Sequence, residues 1–374
     1  MSQWTFHNPV KIHFGKDAFR EISALTRARP YVLVTHPDAA MKPWIEALRA
    51  SCGAPLLTID GIEPNPTLDM LARITAQLAD SGVSPEMFVA LGGGSVIDST
   101  KFLAASGGRF HDLLQAIETG APLSEQSLPF VAIPTTAGTG SDLTKWATIW
   151  DTVGGRKLSL EREDIYAEAT IIDPMLTTSL PWPVTLASGL DALSHALESI
   201  WNIHASPITR DFAIRATTDI MNALPRLRDN LSDMGARSQL ARGALRAGLA
   251  FSNTRTAVAH NISYPITLHH GVPHGIACSF CLPDVMIAAI GVDSDCDAAL
   301  EEIFGDLGDA PFWLRAFLTG LGVPATPHAL DIPRDSWRRY VEAAFAGPRG
   351  RNFIGSADRF PYAGIQPVSQ CGRG

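Results

Sequence analysis

The first half of the chain alternates short apolar, β-branched runs with amphipathic segments, and few folds satisfy that order. YVLVTH, PWIEALRAS, PLLTID, LDMLARITAQLADSG, MFVALGGGSVIDSTKFLAAS and PFVAIPTTAGTGSD follow one another. Short continuous apolar runs fit buried strands, whereas longer segments with a 3.6-residue period fit helices. Strand, helix, strand in succession implies a parallel sheet with crossover helices, the architecture of an α/β nucleotide-binding domain. After SLPWPVTLASGLDALSHALESIW the β-branched runs thin out, and helical periods dominate through LARGALRAGLAFS, LEEIFGDLG and WLRAFLTGLG. Pro181 and Pro183 mark the change, because proline ends elements and restricts the residue before it. The expectation is an α/β N-terminal domain over residues 1–180 and an all-α C-terminal domain over 181–374. The tail after about Asn352 is Gly/Pro-rich, so its last residues should be loosely held.

At 374 residues and 46% hydrophobic, the chain can bury two substantial cores. Its formal charge of −8 argues against nucleic acid as a partner, which needs concentrated Lys and Arg. No apolar run reaches the roughly 18 residues of a membrane span, and MSQWTFHNPVKIHFG lacks the basic-then-apolar layout of a signal peptide. The expected compartment is the cytoplasm, with the five cysteines reduced. Cys278 and Cys281 form a CxxC, but ACSFCLPDVM continues an apolar stretch and no second pair follows to make a zinc ribbon. They read as buried structural cysteines.

LGGGSVIDSTK places three glycines and a serine between the strand MFVAL and a helix expected to open at Val96. Glycines let the backbone approach a pyrophosphate, and the free N–H groups and dipole of a helix start favour negative charge. This is neither GxGxxG nor a Walker A loop. PTTAGTGSD, after the strand PFVAI, supplies hydroxyls and a flexible backbone from a second strand end.

Two pairs of residues point to a metal. Asp191 and His195, in GLDALSHALES, are four apart in an uninterrupted helical period, so they share one helix face. His260 and His274 follow in VAHNISYPITLHHGVPHG. Three imidazoles and one carboxylate suit iron(II) or zinc better than calcium or magnesium, which prefer all-oxygen shells. Taken singly, each of the eleven histidines is more simply an ordinary interior or surface residue. The phosphate-type loops ahead of them weaken that explanation for the set.

With these motifs in this order, the chain resembles the iron-containing (group III) alcohol dehydrogenases, which share the dehydroquinate synthase-like fold. The likeness runs nearly end to end, through FGKDA, GGGSVIDSTK, IPTTAGTGSD, Lys157, IIDPML, GLDALSHALE and the two histidines fourteen positions apart. It implies NAD(P) on the N-terminal domain, a metal on the helical domain and reduction of a carbonyl by hydride transfer in the cleft between them, the metal acting as Lewis acid. By position it assigns Asp191, His195, His260 and His274 to the metal. Gly93, Gly94 and Ser95 match the pyrophosphate loop, with Asp98 bracing it. Thr135, Thr136 and Thr144 match residues at the nicotinamide and ribose, Lys157 matches the lysine at the ribose, and Leu176 would pack on the cofactor. A homodimer is compatible with the resemblance.

Three departures from the family pattern are informative. An acid that often follows the first strand, in a VTD pattern, is His36 in VTH here; a histidine does not repel a 2′-phosphate, so NADPH should be accepted as well as NADH. A histidine that many members carry four residues after the third ligand is Tyr264 here, so the proton relay passes through Tyr264 or shifts to His270. FSNTRTAVAH sets Arg255 within about a helical turn and a half of His260, where the family is usually small and neutral. A guanidinium there could fork onto phosphonate oxygens, with Trp146, Phe251 and Arg349 or Arg351 as further candidates at the substrate. SNTRTAVAHNISYPITLHHGVPHGIACSF looks like the branch that reduces phosphonoacetaldehyde to 2-hydroxyethylphosphonate. The competing expectations are a general short-chain or diol alcohol dehydrogenase of the same family, a dehydroquinate-synthase-type lyase, and a non-catalytic metal or nucleotide binder. A lyase of that kind would call for more basic residues than this chain shows.

Overall fold

The computed structural model describes residues 3–121 and 126–361, so the tail beyond Pro361 lies outside the described residues. The chain forms two compact units, Asn8–Pro181 on one hand and Trp182 onward with the residues ahead of Asn8 on the other. The opening segment thus goes with the helical unit rather than with the span 1–180, and His7 donates its backbone N–H to Asn253 Oδ1 at 2.8 Å.

The strands of the α/β unit are β1 (Lys11–Phe14), β2 (Tyr31–Val34), β3 (Leu57–Ile59), β4 (Met87–Gly92), β5 (Phe130–Pro134), β6 (Trp146–Asp151), β7 (Arg156–Glu161) and β8 (Ala169–Ile172). Six form a parallel sheet in the order β1-β8-β5-β4-β2-β3, while β6 and β7 pair as a separate antiparallel hairpin. β1, β8 and the hairpin add to the strands that the alternation predicts. The strands β2, β4, β5 and β8 are buried along their whole length, as in a parallel sheet covered on both faces. Leu33, Val89, Val131 and Ile171 pack with Phe19, Ile22 and Leu48 into one apolar cluster.

The helix after the glycine loop spans Gly94–Ser106, so it opens two residues before the expected Val96. Gly93 is its extended N-cap. The bare Gly94 can enter the first turn because it leaves room for Thr139, whose Cγ2 would lie 2.6 Å from a β-carbon there.

In the helical unit, Trp182–Ile200, Pro207–Asp229 and Met234–Thr254 are three long helices packed on one another. Arg255 ends the third with φ +64° and ψ 179°, and the next helix, Val258–His270, starts afresh. Arg255 and His260 therefore do not share a continuous helix, which corrects the turn-and-a-half spacing expected between them; a positive-φ residue breaks the hydrogen-bond ladder. The short helix His274–Ser279 lies against Trp182–Ile200 so closely that a β-carbon on Gly275 would stand 1.8 Å from the carbonyl oxygen of Ala187. No helix among the described residues is long and apolar enough to cross a membrane.

Candidate active site

The adjacent strands β2, β4 and β5 deliver three of the candidate segments at their carboxyl ends, where open α/β sheets bind ligands. His36 follows β2, half-buried, and burial lowers its pKa. Gly93 and Gly94 follow β4. A β-carbon on Gly93 would lie 3.2 Å from Thr136 Cγ2, so the PTTAGTGSD loop packs directly on the glycine loop. Thr135 begins that loop and donates its N–H to Gly92 O at 3.0 Å. Ser95 Oγ accepts the Asn65 N–H at 3.1 Å.

Beneath the loops lies a buried polar brace. Asp98 accepts hydrogen bonds from Ser141 Oγ and, at 2.9 Å, from the Thr148 N–H, while burial raises its pKa. Lys101, whose side chain is fully buried where Asp98 is only partly so, donates to Thr144 O at 2.8 Å, Thr144 Oγ1 at 3.0 Å and Trp146 O at 2.7 Å. Burial pulls the Lys101 ammonium down to about 8. Asp98 is thus placed to stiffen the loop, and the Thr144 hydroxyl is engaged in the same brace. Trp146 opens β6, and Lys157 lies half-buried on β7 opposite Trp150. Leu176, expected to pack on the cofactor, has its side chain fully buried in the apolar cluster with Phe19 and Ile171.

The second site lies wholly in the helical unit. Asp191 and His195 project from Trp182–Ile200, His260 from the first turn of Val258–His270, and His274 from the first position of His274–Ser279. Asp191 Oδ1 stands 3.4 Å from His260 Nε2, 3.8 Å from His274 Nε2 and 3.9 Å from His195 Nε2. Asp191 Oδ1 and His260 Nε2 are buried and accept or donate no hydrogen bond. Buried polar atoms are rarely left so, and a cluster of one carboxylate and imidazoles aimed at one point fits a divalent ion such as iron or zinc. Burial alone would raise the Asp191 carboxyl, but His195, His260 and His274 hold it well below the usual carboxylate range.

Aromatic rings frame this cluster. Phe251 stacks on His195 at 4.0 Å and His195 on His260 at 4.5 Å, so Phe251, itself buried, backs a ligand candidate. The Tyr264 ring lies parallel to His274 at 6.0 Å. His270, at the far end of the same helix, instead places Nε2 3.3 Å from the Tyr340 hydroxyl.

Two residues that the spacing argument passed over stand in the cluster. Glu198, fully buried, accepts the backbone N–H of Ala257 at 2.7 Å and of Ala259 at 2.6 Å, and its Oε2 lies 2.6 Å from His260 Nδ1. A proton held on Nδ1 fixes the tautomer that leaves Nε2 free to ligate. Its signal was the period itself, since 191, 195 and 198 mark one helix face. Cys278 is the other: its Sγ lies 3.6 Å from His274 Nε2, and burial, which would raise the thiol, is outweighed by His260 and His274, which bring it to about 7. Cys281, by contrast, is buried with its thiol against Cys278 O.

The arginine candidates separate clearly. Arg255 is exposed at the end of its helix, and Arg351 is exposed and donates to Ala346 O at 3.4 Å. Arg349 is half-buried; its guanidinium sits 5.1 Å from the centre of the Tyr264 ring, and its Nε donates to Thr256 Oγ1 at 3.0 Å. A cation thus stands one ring away from the metal-type cluster.

The model of the iron-containing alcohol dehydrogenase family matches residues 9–174, and the model of that family's C-terminal region matches residues 185–352. A long-chain-alcohol dehydrogenase of Geobacillus thermodenitrificans is 31% identical over 74% of this chain and 72% of its own. A phosphonoacetaldehyde reductase of Streptomyces viridochromogenes is 31% identical over 83% of each chain. The crystal structure of sulfoacetaldehyde reductase from Bifidobacterium kashiwanohense in complex with NAD+ superposes with a TM-score of 0.84 at 27% identity, covering 95% of this chain and 96% of its own.

Proposed function

The chain belongs to the iron-containing alcohol dehydrogenases and is an oxidoreductase, and on that premise we propose that it reduces a short aldehyde bearing an oxyanion at its far end, phosphonoacetaldehyde foremost. The observation that carries the substrate class is Arg349, half-buried over Tyr264 beside the donor cluster. Two of the relatives above are named for aldehydes of this kind, one with a phosphonate and one with a sulfonate.

Asp191, His195, His260 and His274 hold the ion, iron(II) or zinc, and NADPH or NADH lies on the glycine loop at Gly93, Gly94 and Ser95. When bound, the ion supplies Lewis acidity and the nicotinamide supplies hydride. The protein's own groups do the rest. Glu198 keeps the His260 proton on Nδ1. Tyr264, ring to ring with His274, carries the proton for the product hydroxyl; His270 does not compete, because its Nε2 is turned to Tyr340. Arg349, steadied by Thr256, holds the anionic end and so turns remote binding energy into orientation of the carbonyl. His36 in place of an acid lets a 2′-phosphate be accepted, so both cofactors serve.

The test is steady-state kinetics with phosphonoacetaldehyde, sulfoacetaldehyde and propanal, with each cofactor. A charge-assisted hydrogen bond is worth about 1.5–3 kcal/mol, so Arg349→Met should lower kcat/KM for the anionic aldehydes by about 10- to 150-fold. Propanal should be nearly unaffected. Equal losses for all three, or a wild-type preference for propanal, would return the chain to a general alcohol dehydrogenase. Arg255→Ala separates the two arginines: a selective loss confined to that variant would move the anion contact to Arg255.

A further inference from the structure

Cys278 has no role in the activity proposed above, yet it stands among the ligand candidates. One atom from each of Asp191, His260, His274 and Cys278 lies within 4.8 Å of all the others. Donors arranged tetrahedrally about 2.0–2.3 Å from an ion stand roughly 3.3–3.8 Å apart. Three of the six separations fall on those edges, Asp191 Oδ1 to His260 Nε2 at 3.4 Å, Asp191 Oδ1 to His274 Nε2 at 3.8 Å and Cys278 Sγ to His274 Nε2 at 3.6 Å, and the others lie within 4.8 Å. Two of these atoms, Asp191 Oδ1 and His260 Nε2, are buried without a hydrogen-bond partner and point into the cluster. Cys278 is itself fully buried, so its thiol faces this polar pocket rather than solvent.

We propose that Cys278 is a ligand of the same ion, giving the site a sulfur donor beside its nitrogens and oxygen. Cys278 lies four positions after His274 on one short helix, the spacing that also puts Asp191 and His195 on one face. Binding exchanges the thiol proton for the ion: the S–H bond breaks, the proton leaves to water, and the metal–sulfur bond forms with no change of oxidation state. A soft thiolate shifts the preference of the site toward zinc and cobalt(II) over manganese(II) and magnesium. His195, held between Phe251 and His260 by ring stacking, keeps its Nε2 3.9 Å from Asp191 Oδ1 and would add a further nitrogen donor. The inference rests on the donor cluster holding an ion and is independent of the substrate.

The experiment is optical. The purified full chain is stripped with chelator and loaded with cobalt(II). A thiolate ligand produces an intense near-ultraviolet sulfur-to-cobalt charge-transfer band in addition to the weak visible bands that nitrogen and oxygen ligands give. Wild type and Cys281→Ser should show it; Cys278→Ser should keep the visible bands, lose the charge-transfer band and bind zinc about tenfold or more weakly. Visible bands without charge transfer in the wild type would overturn the proposal, as would loss of the band in Cys281→Ser alone. Failure of cobalt and zinc to bind at all would overturn it together with the donor cluster. Because the wild-type spectrum decides, a misfolded variant does not blunt the test, and loss of activity toward anionic aldehydes has no bearing on it.

Discussion

Replacing Glu198 by glutamine changes one atom and separates two jobs of that side chain. Each carboxylate oxygen accepts twice: Oε2 from the Ala257 N–H and His260 Nδ1, Oε1 from the Ala259 and His260 N–H groups. An amide keeps one such oxygen and turns an NH2 toward the other two donors. If the NH2 replaces Oε2, His260 must present a lone pair at Nδ1 and move its proton to Nε2, the atom facing Asp191 at 3.4 Å. If it replaces Oε1, two N–H groups at the start of the Val258–His270 helix lose their acceptor. Losing two charge-assisted bonds in a buried site costs about 3–6 kcal/mol of folding stability. Disturbing the partner of a ligating histidine typically weakens metal binding about 10- to 100-fold, which is about 1.4–2.8 kcal/mol. Zinc titration against a competing chelator measures the second quantity, and thermal unfolding with and without zinc measures both, because the ion adds stability by mass action. A variant that is less stable but binds zinc with wild-type affinity would refute the tautomer argument and leave Glu198 as a helix cap.

Other perturbations follow from the same geometry. Gly94→Ala puts a β-carbon 2.6 Å from Thr139 Oγ1 and would crowd a pyrophosphate on the proposed cofactor loop, so the KM for NAD(P)H should rise by about tenfold or more with zinc content unchanged; an unchanged KM removes the loop from the cofactor site. Gly275→Ala meets the main chain of Ala187, which cannot rotate away, so the melting temperature should fall by the equivalent of about 1–3 kcal/mol or more, with loss of bound metal, as calorimetry and metal analysis would show. Burial would raise the Asp219 carboxyl, but Arg242 and Arg246 hold it below the ordinary range. Its folded pKa lies under the unfolded value of about 3.9, so its contribution is complete above that pH and is lost as pH falls further. Asp219→Asn should therefore flatten the acid limb of stability against pH below about 4, and an unchanged limb would show that other carboxylates set it.

The parallel sheet was legible because β2, β4 and β5 are buried on both faces and must be apolar throughout. β1 and β7 escape that logic, since KIHF and RKLSLE are largely exposed or half-exposed and carry charge. The spacing of Asp191 and His195 predicts one helix face, and the family likeness pairs them with His260 and His274, yet no period can say that Glu198 lies under His260 or that Cys278 joins His274, because both facts depend on which helices pack together. The break at Arg255 was hidden for a related reason. TRTAVAH contains neither glycine nor proline, and tertiary packing imposes the positive φ on an arginine. Arg349 lies 85 positions after Tyr264 in the numbering, so only the folded chain brings the two into contact.

The close seating of Gly275 on Ala187 bears on how such a protein acquires its ion in a cell. The main chain, rather than the metal, sets the spacing between the helix of Asp191 and the helix of His274. On that packing the folded chain would hold the two helices together before an ion arrives, unlike small domains whose folding free energy is their binding free energy. The occupant would then follow both the softness of the donors and which divalent ion is at hand when the folded protein samples its surroundings, and it could be exchanged without passing through the unfolded chain.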